Sequence, residues 1–178
     1  MSRTLPQTRT RAAEGIASNG KSGERHKGEI HGRVLALDYG RKRIGLAISD
    51  ELALTAQPLG TMNRENRRKD LSRLRKICRE QGVKHIIVGY PLHMNGQAGD
   101  MAIEAEAFAR RLARAVQLTV ELVDERLTSW EARQKMKGTK SAARGRREPI
   151  DHVAAAVLLG EYLDRKRGSS HSNMTETD

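Results

Sequence analysis

Four carboxylates stand at positions where they could act together. Asp38 ends the apolar run Val34-Leu35-Ala36-Leu37, Asp124 and Glu125 end the run that begins at Leu118, and Asp151 opens the last helical pattern. In open α/β sheets, ligands gather outside the carboxyl ends of the parallel strands, so acids from distant chain positions can meet at one sheet edge. A hard divalent cation, Mg²⁺ or Mn²⁺, takes oxygen ligands of this kind. Two such ions about 4 Å apart can activate a water and stabilise the leaving oxygen in phosphodiester cleavage. Each acid also has a plainer reading. Asp38 before Tyr39-Gly40 suits a turn, Asp124 or Glu125 can pair with Arg126, and Asp151 suits the positive end of a helix dipole. Against the last, Asp151 falls at the edge of the apolar arc of Ala154, Ala155 and Leu158, and such an acid points toward the sheet edge. Strand alternation sends Asp124 and Glu125 to opposite faces, and the choice between them stays open.

Cations accompany the acids. From Ala132 to Arg147 stand seven (Arg133, Lys135, Lys137, Lys140, Arg144, Arg146 and Arg147) and no acid. This run separates Glu125 from Asp151, so it hangs beside the expected site and can hold phosphates. A second loop, Gly89-Tyr90-Pro91-Leu92-His93-Met94-Asn95-Gly96, follows a buried-type strand at the same edge. Its Asn95-Gly96 pair is a turn signal, and loops placed in this way often hold substrate. No His or Cys cluster has metal spacing. His85 and His152 read as structural or surface groups, and Cys78 on an apolar stripe reads as buried and inert.

The elements that must position these residues alternate in period. Val34 to Asp38 and Arg43 to Ser49 suit an antiparallel hairpin about Tyr39-Gly40-Arg41-Lys42. Ala53 to Met62 reads as a third strand, with Pro58 marking an edge or bulge. Glu65 to Glu80 is helical and closed by Gly82, with Leu71, Leu74, Ile77 and Cys78 on one face. A strand from His85 to Gly89, a helix from Gly99 to Val116 and a strand from Leu118 to Asp124 follow. Thr128 with Glu131 forms a capping box for a further helix anchored by Trp130. Lys137 to Glu148 is a polar loop, and Ile150 to Arg165 is the last helix. The order of the main elements, β-β-β-α-β-α-β-α, makes an α/β domain on a mixed sheet of five strands.

The domain is expected from residue 33 to 167, between a disordered basic arm (1–32) and a short disordered tail (168–178). The 178 residues carry a net charge of +11, which points to a polyanion partner, with nucleic acid the default. One Trp, one Phe and three Tyr argue against base-stacking platforms and for contact through phosphates and backbone shape. Cys78 alone supports no disulfide framework, and a reducing cytoplasm is the expected compartment. No run approaches the roughly 18 apolar residues of a membrane span, so no membrane partner is expected.

Taken together, Leu37-Asp38-Tyr39-Gly40-Arg41-Lys42-Arg43-Ile44-Gly45-Leu46-Ala47-Ile48-Ser49-Asp50 resembles the opening motif of the YqgF family. These are also known as RuvX-like proteins, pre-16S rRNA nucleases or Holliday junction resolvases. Val88 to Gly96, Asp124-Glu125-Arg126-Leu127-Thr128, and Asp151 with Ala154-Ala155 and Leu158-Leu159 resemble the three further motifs, in order. The resemblance covers about Arg33 to Tyr162. It implies an RNase H-like fold and a metal-dependent nuclease linked to maturing the 5′ end of 16S rRNA. The implied catalytic acids are Asp38, one or both of Asp124 and Glu125, and Asp151, with Asp38, Glu125 and Asp151 on the metal. Lys42 and Arg43 would position phosphate, and Asn95, Arg126, Thr128, Arg146 and Arg147 are further candidates for substrate contact. Tyr90 and His93 depart from the family pattern, in which a small or apolar residue and an Asn are common.

The leading expectation is therefore a Mg²⁺- or Mn²⁺-dependent nuclease on structured RNA, acting as monomer or homodimer. The alternatives are a DNA-junction nuclease and a non-catalytic RNA-binding assembly factor. A nucleotide-dependent kinase or ATPase with a similar hairpin would need a second domain and phosphate-binding motifs that the chain lacks.

Overall fold

The computed structural model describes residues 32–127 and 151–172. Within them lie β1 (Arg33–Tyr39), β2 (Arg43–Ser49), β3 (Ala56–Asn63), α1 (Arg67–Glu80), β4 (Val83–Tyr90), α2 (Asp100–Val116), β5 (Thr119–Asp124), a 3₁₀ turn (Glu125–Leu127) and α3 (Asp151–Ser172). The expectations for residues 1–31, for the Thr128 cap and its helix, for the Arg146 and Arg147 loop and for residues 173–178 lie outside the described residues.

The strands form one sheet in the order β3-β2-β1-β4-β5. β1 pairs antiparallel with β2, and β2 with β3, while β1, β4 and β5 run parallel. Helices cover both faces, which is why β1 reads as a continuous apolar run rather than an alternating one. Leu35, Leu37, Ile44, Leu46, Ile86 and Val88 face α1 and α2, where Leu74, Phe108 and Leu112 meet them. Val34, Ala36, Ala47, Ile87 and Val123 face α3, against Ala155, Leu158, Leu159 and Leu163. The small alanines let α3 lie close to the sheet. Cys78 is buried in the first layer, and burial pushes its thiol up to about 11. Among the described residues no helix is long and apolar enough to cross a membrane.

Several boundaries differ from the sequence reading, two of them for a visible local reason. The third strand starts at Ala56 rather than Ala53. Asp50 Oδ1 accepts the backbone N–H groups of Leu54 (2.8 Å) and Thr55 (2.7 Å), and Ala53 takes a positive φ of 54°, so this stretch closes a turn. α1 starts at Arg67 because Asn66 caps it, its side chain accepting from Lys69 N at 3.0 Å. α3 continues past Arg165 to Ser172, through the start of the segment read as tail. Pro58 lies on edge strand β3, and the β2–β3 register shifts at Leu46/Ala47, as a bulge there requires.

Candidate active site

Asp38 is the next-to-last residue of β1, the central strand. It shares the α3-facing side of the sheet with Val34 and Ala36. Its partner on β2 is Gly45. On the other side, the parallel register Leu37↔Val88, carried one step further, brings Gly89 of β4 alongside. Asp38 is thus flanked by two glycines, and in each case another acid occupies the space a side chain would fill. A Cβ on Gly45 would lie 2.0 Å from the Asp151 carbonyl oxygen and 3.0 Å from His152 N. The first turn of α3 therefore rests directly on β2. A Cβ on Gly89 would lie 2.3 Å from Glu125 Oε1, so the Glu125 carboxylate folds back over β4. Asp38, Glu125 and Asp151 converge on one face, at the carboxyl end of the central strands.

Asp124 takes a different course. It follows Val123, which faces α3, and by alternation turns to the opposite side. There it pairs with Arg126, whose Nη2 donates to Asp124 Oδ2 at 2.6 Å and whose backbone N–H donates to Oδ1 at 2.9 Å. The Arg126 side chain, the largest influence, holds the Asp124 carboxyl below its usual range. Arg126 Nη1 also donates to the carbonyls of Met94 (3.4 Å) and His93 (3.5 Å). Asp124 and Arg126 together form a bracket that fastens the loop after β4 to the end of β5. The 3₁₀ turn begins at Glu125, so the two successive acids leave the end of β5 on different sides.

The remaining candidates sort by contact. Arg43 Nε lies 2.8 Å from Asp151 Oδ2, and that oxygen is closed to solvent and receives no well-directed hydrogen bond. Lys42 is exposed in the β1–β2 turn. Arg64 pins this turn, sitting over the Tyr39 ring (4.7 Å to its centroid) and donating to Tyr39 OH at 2.8 Å and Gly40 O at 3.1 Å. Asn95 is engaged inside its own loop, with Oδ1 accepting from Gln97 N at 3.0 Å, while Met94 beside it is 90% exposed. His152 is half-buried rather than a free helix-surface group, with its Nδ1 3.4 Å from Thr61 Oγ1. Neither Gly45 nor Gly89 has side-chain chemistry of its own. The signal that finds them is a glycine inside a strand, which marks a bulge or a close approach.

The donor set suits a hard cation, since all three converging groups are carboxylates and two glycines clear the floor between them. Among the described residues, no three acid, imidazole or thiol groups lie close enough together to hold a metal ion as they stand, and Asp151 is engaged by Arg43.

A five-stranded mixed sheet in the order β3-β2-β1-β4-β5 with helices on both faces is an RNase H-like fold. The family model described as "RuvX: Holliday junction resolvase" matches residues 32–165, and the chain belongs to that family. It is 46% identical over 137 residues to a Geobacillus kaustophilus protein named "Putative pre-16S rRNA nuclease", covering 76% of this chain and 99% of the relative. It is 39% identical over 137 residues to the protein of the same name from Koribacter versatilis, covering 77% and 90%. Among solved structures, T. thermophilus RuvC in complex with Holliday junction substrate matches at 14% identity and TM-score 0.49, over 78% of this chain and 98% of that one.

Proposed function

We propose that this chain is a divalent-metal-dependent nuclease that cleaves phosphodiester bonds in structured RNA, with precursor 16S rRNA as its substrate. The observation that carries the reading is the convergence of Asp38, Glu125 and Asp151 over the floor made by Gly45 and Gly89. Their oxygens would hold Mg²⁺ or Mn²⁺. A bound ion of this kind supplies an acidified water and neutralises charge on the scissile phosphate. The chain's own part is to fix those oxygens. Asp38 is held by ladders on both sides, Glu125 by the 3₁₀ turn and Asp151 by the seating of α3. Lys42, exposed at the rim, meets backbone phosphate, and a net charge of +11 draws the polyanion in. The loop held by Arg126 presents Met94 to the substrate beside this site. The names of the relatives support the choice of precursor 16S rRNA, and the cytoplasm is the compartment such a substrate requires.

The description of the family supports a second reading, cleavage of a four-way DNA junction, which calls for a dimer that cuts twice. Precursor rRNA and a synthetic junction, each tested with wild type and Asp38→Asn under one Mn²⁺ and salt condition, separate the two. The expected result is cleavage of the RNA by wild type, none by Asp38→Asn, and similar RNA binding by both. Equal cleavage by Asp38→Asn would remove the acid set from the chemistry.

A further inference from the structure

Arg43 is the first residue of β2, and its side chain lies on the same side of the sheet as Gly45, Ala47 and the seated end of α3. Its Nε is 2.8 Å from Asp151 Oδ2. The oxygen is closed to solvent, while the arginine side chain remains 48% exposed. The contact is close but poorly directed for a hydrogen bond, so charge holds it more than geometry does. A hard cation needs the lone pairs of that carboxylate, and two cations cannot share one carboxylate oxygen at contact distance without strong mutual repulsion. Arg43 has room to leave, because its half-exposed chain starts at the open end of a strand. Asp151 does not, because its own backbone is pressed on Gly45.

We propose that Arg43 is a resident competitor for the divalent cation, occupying Asp151 until the ion displaces it. Loading the ion then frees a guanidinium at the rim of the site. That geometry and charge suit it to a backbone phosphate. Metal binding and phosphate capture are in this way linked through one side chain. The inference rests on the metal-dependent reading above.

The test is Mn²⁺ titration by calorimetry on the full-length chain, without nucleic acid. Arg43→Gln removes the competitor and is expected to tighten Mn²⁺ binding at least threefold. Arg43→Lys, which keeps the charge on a different donor, is expected to fall between Arg43→Gln and wild type, and it remains informative if Arg43→Gln folds poorly. Lys42→Gln removes the same charge one residue away without touching Asp151, and is expected to stay within twofold of wild type. In an Asp151→Asn background, adding Arg43→Gln is expected to change nothing further. If Arg43→Gln binds Mn²⁺ no better than wild type, or if Lys42→Gln gains as much, the competitor role is overturned and the metal-dependent reading stands. If neither wild type nor the variants bind Mn²⁺, both fall.

Discussion

Replacing Gly89 with alanine tests the floor of the site with a single methyl group. The new Cβ would stand 2.3 Å from Glu125 Oε1, 3.2 Å from its Cδ and 3.4 Å from its Cγ. Gly89 lies in regular strand backbone, so alanine adds no conformational strain there. The clash is confined to the end of one flexible side chain, which must retreat by about 1 Å to regain ordinary contact. A misplacement of that size at a reacting group can cost on the order of 100-fold in rate, or about 2.7 kcal/mol of barrier. Stability should change by less than about 1 kcal/mol, because no core residue is displaced. The assay is single-turnover cleavage of precursor rRNA at saturating Mn²⁺, alongside thermal unfolding and RNA binding. The expected outcome is a fall of roughly two decades in the cleavage rate, with melting temperature and RNA affinity near wild type. If Gly89→Ala cuts at the wild-type rate, Glu125 does not act from the position described here.

Gly45→Ala should behave differently. Its Cβ would meet the Asp151 backbone oxygen at 2.0 Å, which only a shift of α3 can relieve, so thermal unfolding should register a loss of about 1–3 kcal/mol together with lost cleavage. Glu125→Gln should abolish cleavage in the same rRNA assay, whereas Asp124→Asn should retain part of the rate and weaken substrate binding, since it loosens the loop and leaves the metal oxygens in place; equal loss in both would return Asp124 to the acid set. The Asp124 carboxyl is held below its usual range, so the stability of its bracket is fully present above the ordinary carboxylate range and is lost as pH falls through the lowered value. Protection of the amides at 92–98, corrected for the intrinsic pH dependence of exchange, should fall in that acid window, and Arg126→Ala should remove this dependence. Tyr162→Phe deletes the hydroxyl that donates to Glu121 Oε2 at 2.7 Å and should cost about 1 kcal/mol in denaturant unfolding, with the cleavage rate unchanged.

Much of this arrangement was legible in the residues. The hairpin around Asp38 follows from two short apolar runs parted by a turn, and the parallel half of the sheet from strands alternating with helices. Asp151 was readable because small alanines beside it allow a close-seated helix. The choice between Asp124 and Glu125 was not, because alternation along a strand stops being a guide once a 3₁₀ turn begins. One of the plainer readings, pairing with Arg126, holds for Asp124. Asn95, a candidate substrate contact, has its side chain hydrogen-bonded to Gln97 within its own loop. The start of β3 was misplaced because Asp50 gathers the following amides, a competition between side chain and ladder that propensity does not register. The roles of Gly45 and Gly89 depend on what lies across from them, and a linear sequence does not state its neighbours.

The bracket between Asp124 and Arg126 has a kinematic consequence. Arg126 directly follows Glu125, and through the carbonyls of His93 and Met94 it carries the loop after β4 on the end of β5. The acid and the loop are thereby referred to one datum. A displacement of the β5 end would move both by a common amount, so the spacing between the acid proposed to bind the metal and the loop beside it would be preserved. In such a linkage, errors of position become translations of the whole tool rather than distortions within it.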